Sequence, residues 1–161
     1  MLLVFMSAPF VAWGGDSTNQ ASGILQIEAK ILTQPDTNII LEITVKNVAP
    51  KDVLIPEGYL PWDRYAMTLV LVETDPSSTP LKQELVVADP MPGEPLTLKS
   101  GEIMRGNIDL TDRFPQLSKV LQRTEVIVFW SYQLEGEPGT KCERIAGWKL
   151  IPKRSTIPLR Q

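Results

Sequence analysis

The 161-residue chain contains no histidine and a single cysteine, Cys142. The first absence removes the Ser-His-Asp and Cys-His nucleophile pairs, which need an imidazole to take the proton. Zinc draws nearly all its affinity from imidazole and thiolate ligands, and one cysteine cannot supply them. Type I copper fails for the same want of imidazole. Met91 and Met104 could ligate only Cu(I) and read as packing residues. Cys142 has no partner for an internal disulfide, so stability must come from burial and backbone pairing, and Cys142 itself reads as a small core hydrophobe. There is no Gly-x-x-x-x-Gly-Lys phosphate loop and no Gly-x-Gly-x-x-Gly turn. Positive charge is scarce too. A net charge of −3 and a pI near 5.0 offer no footprint for nucleic acid. No cofactor and no metal are expected.

What is present is a soluble-protein composition, 43% hydrophobic and 22% charged, enough to build one core in one domain. The 14 prolines disfavour long helices and favour short strands joined by structured loops. At the N-terminus the first ionisable side chain is Asp16. The run from Leu2 to Trp13 is too short to span a bilayer and matches the apolar region of a secretory signal. Ala12 and Gly14 supply small residues at the −3 and −1 positions, although no Lys or Arg precedes the run. The expected organisation is a signal peptide over residues 1–14, a flexible leader over 15–23, a β-sandwich over 24–152 and a basic tail over 153–161. This implies a periplasmic or secreted protein with no stable membrane insertion after cleavage. The bland alternative for the same run is an apolar strand packed in the fold.

From Ile24 onward the hydrophobic period is two. Leu25, Ile27, Ala29 and Ile31 alternate with Gln26, Glu28 and Lys30, and Ile39, Leu41, Ile43 and Val45 alternate with Glu42, Thr44 and Lys46. The polar turn between them makes the two strands antiparallel neighbours. Further strands are expected at 53–55, 67–73, 85–87, 96–98, 103–110, 124–134 and 142–151. A short helix fits 112–122, where Leu117 and Leu121 share a face and Thr111 or Asp112 caps the start. In the strand at 124–134, Trp130 and Tyr132 face the core, and apolar Ile127 and Phe129 on its other side mark it as central. Turn signals recur about every ten residues, the pattern of an all-β chain folded as an antiparallel sandwich of about seven to nine strands with one short helix.

Two stretches carry a resemblance. Ile43-Thr44-Val45-Lys46-Asn47 followed by Asp52-Val53-Leu54-Ile55 looks like a strand that ends in Asn before the next strand crosses the sheet. Lys99-Ser100-Gly101-Glu102, then Asn107-Ile108-Asp109-Leu110, Phe114 and the strand from Val126 to Tyr132 give a similar ordered series. Together they resemble bacterial immunoglobulin-like sandwiches, including the BsuPI-type proteinase-inhibitor domain. The resemblance implies an immunoglobulin-like fold and makes an inhibitor-like role an expectation. Gln122-Arg123-Thr124-Glu125 stands where such domains carry a Gly-x-Tyr entry to the late strand.

The candidate binding residues lie in two loops. Tyr59, Trp62 and Tyr65 offer large contact area at low entropic cost and Arg64 a forked donor, all types common at interface hot spots. Met91 and Glu94 lie in a loop stiffened by Pro90, Pro92 and Pro95, which loses less entropy on binding. The structural alternatives are that Trp62 and Leu60 plug one end of the core and that the proline loop is a plain crossover. The expected partner is another protein, which the loops occlude, as an inhibitor or immunity protein would. One rival is a glycan or cell-wall module, in which Tyr59, Trp62 and Tyr65 form a flat exposed platform. The other is a hydrolase working with two carboxylates drawn from Glu57, Asp63, Asp89 and Glu94. Lys141, Arg144, Lys149, Lys153, Arg154 and Arg160 make the C-terminal end basic, as a charged edge strand that resists aggregation or a patch for an acidic partner. A calcium site at Asp109 and Asp112 has the wrong spacing for an EF-hand loop.

Overall fold

Strict alternation makes β2 (Leu25–Thr33) and β3 (Ile39–Asn47) antiparallel partners along their full length, from Leu25↔Asn47 to Thr33↔Ile39. In the computed structural model, which describes residues 19–21, 23–33, 38–63, 66–75, 77–84, 94–134 and 143–154, this pair is the centre of a four-stranded sheet. Its order is β1-β2-β3-β7, with β1 (Asn19–Ala21) pairing on β2 inside the segment read as a leader, and β7 (Ile103–Asp109) pairing on β3. A two-stranded sheet joins β4 (Val53–Ile55) to β6 (Leu96–Leu98). A third sheet has the order β5-β8-β9, with β5 (Met67–Glu73), β8 (Val126–Tyr132) and β9 (Ile145–Ile151). Every pairing is antiparallel, and the fold is all-β, with two single-turn helices among the described residues. The segments expected to hold a strand at 85–87, the hairpin loop at 135–140 and Cys142 lie outside the described residues, as does the signal-like run.

All three sheets feed one apolar cluster. Leu25, Ile27, Leu41, Ile43, Leu71, Leu98, Val126 and Val128 are fully shielded from solvent. Each such side chain contributes roughly 1.5–3 kcal/mol relative to exposure. Trp130 and Tyr132 face this core as expected. The Trp130 indole nitrogen is buried without a hydrogen-bond partner.

Asn47 explains why a strand should end in asparagine. Its side chain is fully buried, and its Nδ2 donates to the carbonyls of Lys51 (2.8 Å) and Leu98 (2.9 Å) while its Oδ1 accepts from the Ala49 N–H (2.9 Å). Its backbone pairs with Glu102 and Gly101. Side chain and backbone of this one residue therefore tie the end of β3 to the segment before β4, the end of β6 and the turn into β7. That turn needs Gly101, whose φ of 77° lies in the left-handed region. Glu102 closes it by accepting from the Lys99 N–H at 2.7 Å.

The expected helix at 112–122 is two short ones, α1 (Leu110–Arg113) and α2 (Leu117–Val120). Pro115 separates them, because the residue before a proline is pushed out of the helical region. The cap is neither Thr111 nor Asp112. α1 starts at Leu110, so Asp109 is the N-cap and accepts from both their backbone N–H groups. Thr111 instead accepts from the Ile39 N–H and anchors the start of β3. Lys149 also departs from its reading as part of a basic surface. The register Val128↔Lys149 turns it inward, and it is buried.

Candidate functional site

Between β4 and β5 the chain makes two tight turns. Pro56 accepts from the Tyr59 N–H, with Gly58 in the left-handed region at φ 79°. Leu60 then accepts from the Asp63 N–H at 2.8 Å, and the Asp63 carboxylate returns the contact by accepting from the Leu60 N–H at 2.8 Å. The acid that sequence reasoning counted among possible catalytic carboxylates is thus engaged in closing a turn.

Three other elements hold this loop. From β8, the Tyr132 hydroxyl donates to the Tyr59 carbonyl at 2.7 Å. From α1, the buried guanidinium of Arg113 donates to the Trp62 carbonyl at 3.1 Å and reaches the Asp63 carbonyl at 3.5 Å. From β7, Gly106 leaves room for the half-buried Trp62 indole, and a Cβ built there would fall inside the ring system. Trp62 and Leu60 pack on the core, matching the end-plug reading. Tyr59 does not; its side chain is 43% exposed. The backbone at Tyr59 is fixed while its ring stands in solvent. A part-buried hydrogen bond of this kind is worth about 1 kcal/mol net, and a backbone ordered at folding has no ordering cost left at binding.

Of the sequence candidates, the fold brings Tyr59, Trp62 and Glu94 to one end. The register Ile55↔Leu96 carries Pro95 and the exposed Glu94 to the edge from which residues 56–63 depart. Glu57 is exposed on the same loop. Arg64, Tyr65, Met91 and Asp89 lie outside the described residues. Sequence reasoning missed Arg113 and the hydroxyl of Tyr132. Nothing in the sequence singles out the first, and the second was placed in the core without regard to its hydroxyl.

Away from this loop, a groove of about 390 Å³ runs between residues 79–82 and α2. Lys82, Lys119 and Arg123 line it with Glu73, which accepts from Arg123 at 2.8 Å. The three cations are solvent-exposed, where ion pairing contributes little. No cluster of three or more His, Cys, Asp or Glu side chains suited to a metal occurs among the described residues, and no helix there is long and apolar enough to cross a membrane. Comparison with known proteins finds no matching family model and no matching curated protein.

Proposed function

We propose that this chain is an exported, non-catalytic protein-binding module whose loop end, residues 56–63 with Glu94, occludes a partner protein. An inhibitor or an immunity protein is the natural form of such a module. The observation that carries this reading is the exposed ring of Tyr59 on a backbone held by Tyr132 and Gly58, beside a loop clamped by Arg113. Rigid, exposed aromatics bind with little entropic loss.

The strand order supports the finer fold reading. A sheet containing β2-β3-β7 and another ordered β5-β8-β9 match the A-B-E and C-F-G groupings of an immunoglobulin-like sandwich, in which loops at the sheet ends carry recognition. The uncharged apolar run before Asp16 supports export. A protein partner is favoured over a flat glycan because Trp62 spends a ring face on Gly106.

The test is quantitative affinity capture from an extract of the producing cells. Wild-type protein is expected to retain a protein in near-stoichiometric amount, and Tyr59→Ala to lose it by tenfold or more while remaining folded. Equal recovery by both proteins, or turnover of a substrate that is lost on changing one acid, would overturn the reading.

A further inference from the structure

The two large sheets treat their outer faces differently. On β2-β3-β7 the two middle outward rows are Glu28–Thr44–Arg105 and Lys30–Glu42–Asn107, all polar, and the end rows Gln26–Lys46–Ile103 and Leu32–Ile40–Asp109 mix polar with apolar residues, Ile103 being exposed. On β5-β8-β9 the outward rows are Val70–Phe129–Trp148 and Val72–Ile127–Leu150, flanked by Thr68–Ser131–Ala146. None of these nine positions carries a charge. Phe129 is 44% exposed, Leu150 41% and Val70 39%. Apolar Ile127 and Phe129 mark β8 as central, and it is the middle strand of this sheet, yet Phe129 on its outward side is exposed.

We propose that the outer face of the β5-β8-β9 sheet is a self-association surface on which a second copy of this chain packs face to face. This surface is separate from the loop end. Phe129 occupies the middle row of the middle strand, so a two-fold axis through the face brings it against its own copy, and aromatic pairs gain beyond their area. Because the face is neutral, self-contact opposes no like charges and desolvates none, whereas pairing through the other sheet would take Glu28, Lys30, Glu42 and Arg105 out of water. The rim is polar. Arg144 reaches Ser131 and Gln133 at one end, and Thr74 meets Thr124 at the other. Three strands about 4.8 Å apart and seven residues long make a face of roughly 15 by 20 Å, which with its side-chain relief buries on the order of 450 Å² per copy. The total of about 900 Å² lies below the roughly 1,200 Å² of stable specific interfaces and in the range of transient encounters, so the dimer is weak and reversible rather than permanent.

Sedimentation velocity of the full chain from about 1 to 500 μM tests this. A concentration-dependent shift from monomer to dimer is expected, with at least a tenfold weakening in both Phe129→Glu and Leu150→Lys and none in Tyr59→Ala. Hydroxyl-radical footprinting of wild type keeps the test open if either variant misfolds: labelling of Phe129, Trp148 and Leu150 falls as concentration rises. A monomer at 500 μM, a dimer indifferent to both folded variants, or protection of this face only on adding phosphatidylcholine vesicles would overturn the proposal.

Discussion

Gly106→Ala should be one of the most damaging small changes in the molecule, and only because of Trp62. A methyl at position 106 would meet Cγ, Cδ2 and Cε3 of the indole. The backbone cannot shift freely to carry the ring clear, since the Trp62 carbonyl is held by Arg113, and rotating the ring about its own bonds would take it off the core. Overpacking of this kind costs about 1–3 kcal/mol. Expelling the half-buried ring instead would expose on the order of 100 Å² of apolar surface, worth about 2.5 kcal/mol at 25 cal/mol/Å². Either route therefore loses about 2 kcal/mol. Trp62→Ala alone should cost a similar amount. In the Trp62→Ala background the collision is gone, and replacing a strand glycine by alanine should be neutral or stabilising by about 0.5–1 kcal/mol. The double-mutant cycle should then show coupling of roughly 2–3 kcal/mol, far above the ~0.5 kcal/mol scatter of independent sites. Equilibrium urea denaturation of the four proteins measures it. With m near 2 kcal/mol/M, Gly106→Ala should lower the midpoint by about 1 M in wild type and leave it unchanged or raised without Trp62. Equal costs in the two backgrounds would refute the packing described here.

Further outcomes are expected elsewhere. Asn47→Ala removes a buried amide that serves two carbonyls and one N–H, and should destabilise by about 3 kcal/mol, or roughly 6–12 °C in Tm, measured calorimetrically. Tyr132→Phe should cost about 1 kcal/mol and weaken partner capture together, since its hydroxyl holds the Tyr59 carbonyl. Trp130→Phe should be milder than a typical core truncation, because it also removes an indole N–H that has no acceptor. The Asp75 carboxyl is held below its usual 3.8 by the backbone N–H of Ser77, and secondarily by the Ser77 hydroxyl. Its contribution to stability is present above the unfolded value and is lost as pH falls through the lower folded one. NMR titration should place the midpoint below 3.8, and Ser77→Ala should move it partway back.

The strands were readable where one face is buried and the other polar. β2 and β3 follow that alternation over most of their length, and a one-residue slip would invert every side chain. The end of β3 at Asn47 was visible as a pattern but not as a cause, because its partners Lys51, Leu98 and Ala49 meet only through the fold. Pro115 announced a limited helix, yet its start depended on where β7 ends, so the cap fell to Asp109. Lys149 was misread because its inward position is set by pairing with Val128, which no property of lysine reveals. At the loop end, the aromatic cluster was legible from residue types alone. The division of labour within it was not: Trp62 is anchored because Gly106, on a distant strand, leaves room, and Tyr59 is presented because β8 grips its carbonyl. Both facts are tertiary.

Site-specific photo-crosslinking from position 59, carried out in the producing cells, bears most directly on the proposed role. A photoreactive phenylalanine analogue in place of Tyr59 should yield one dominant covalent adduct with a distinct protein, absent when the same group replaces the outward-facing Glu28. Equal adducts from both positions, or none from position 59 with the chain folded and abundant, would contradict a binding surface at this loop.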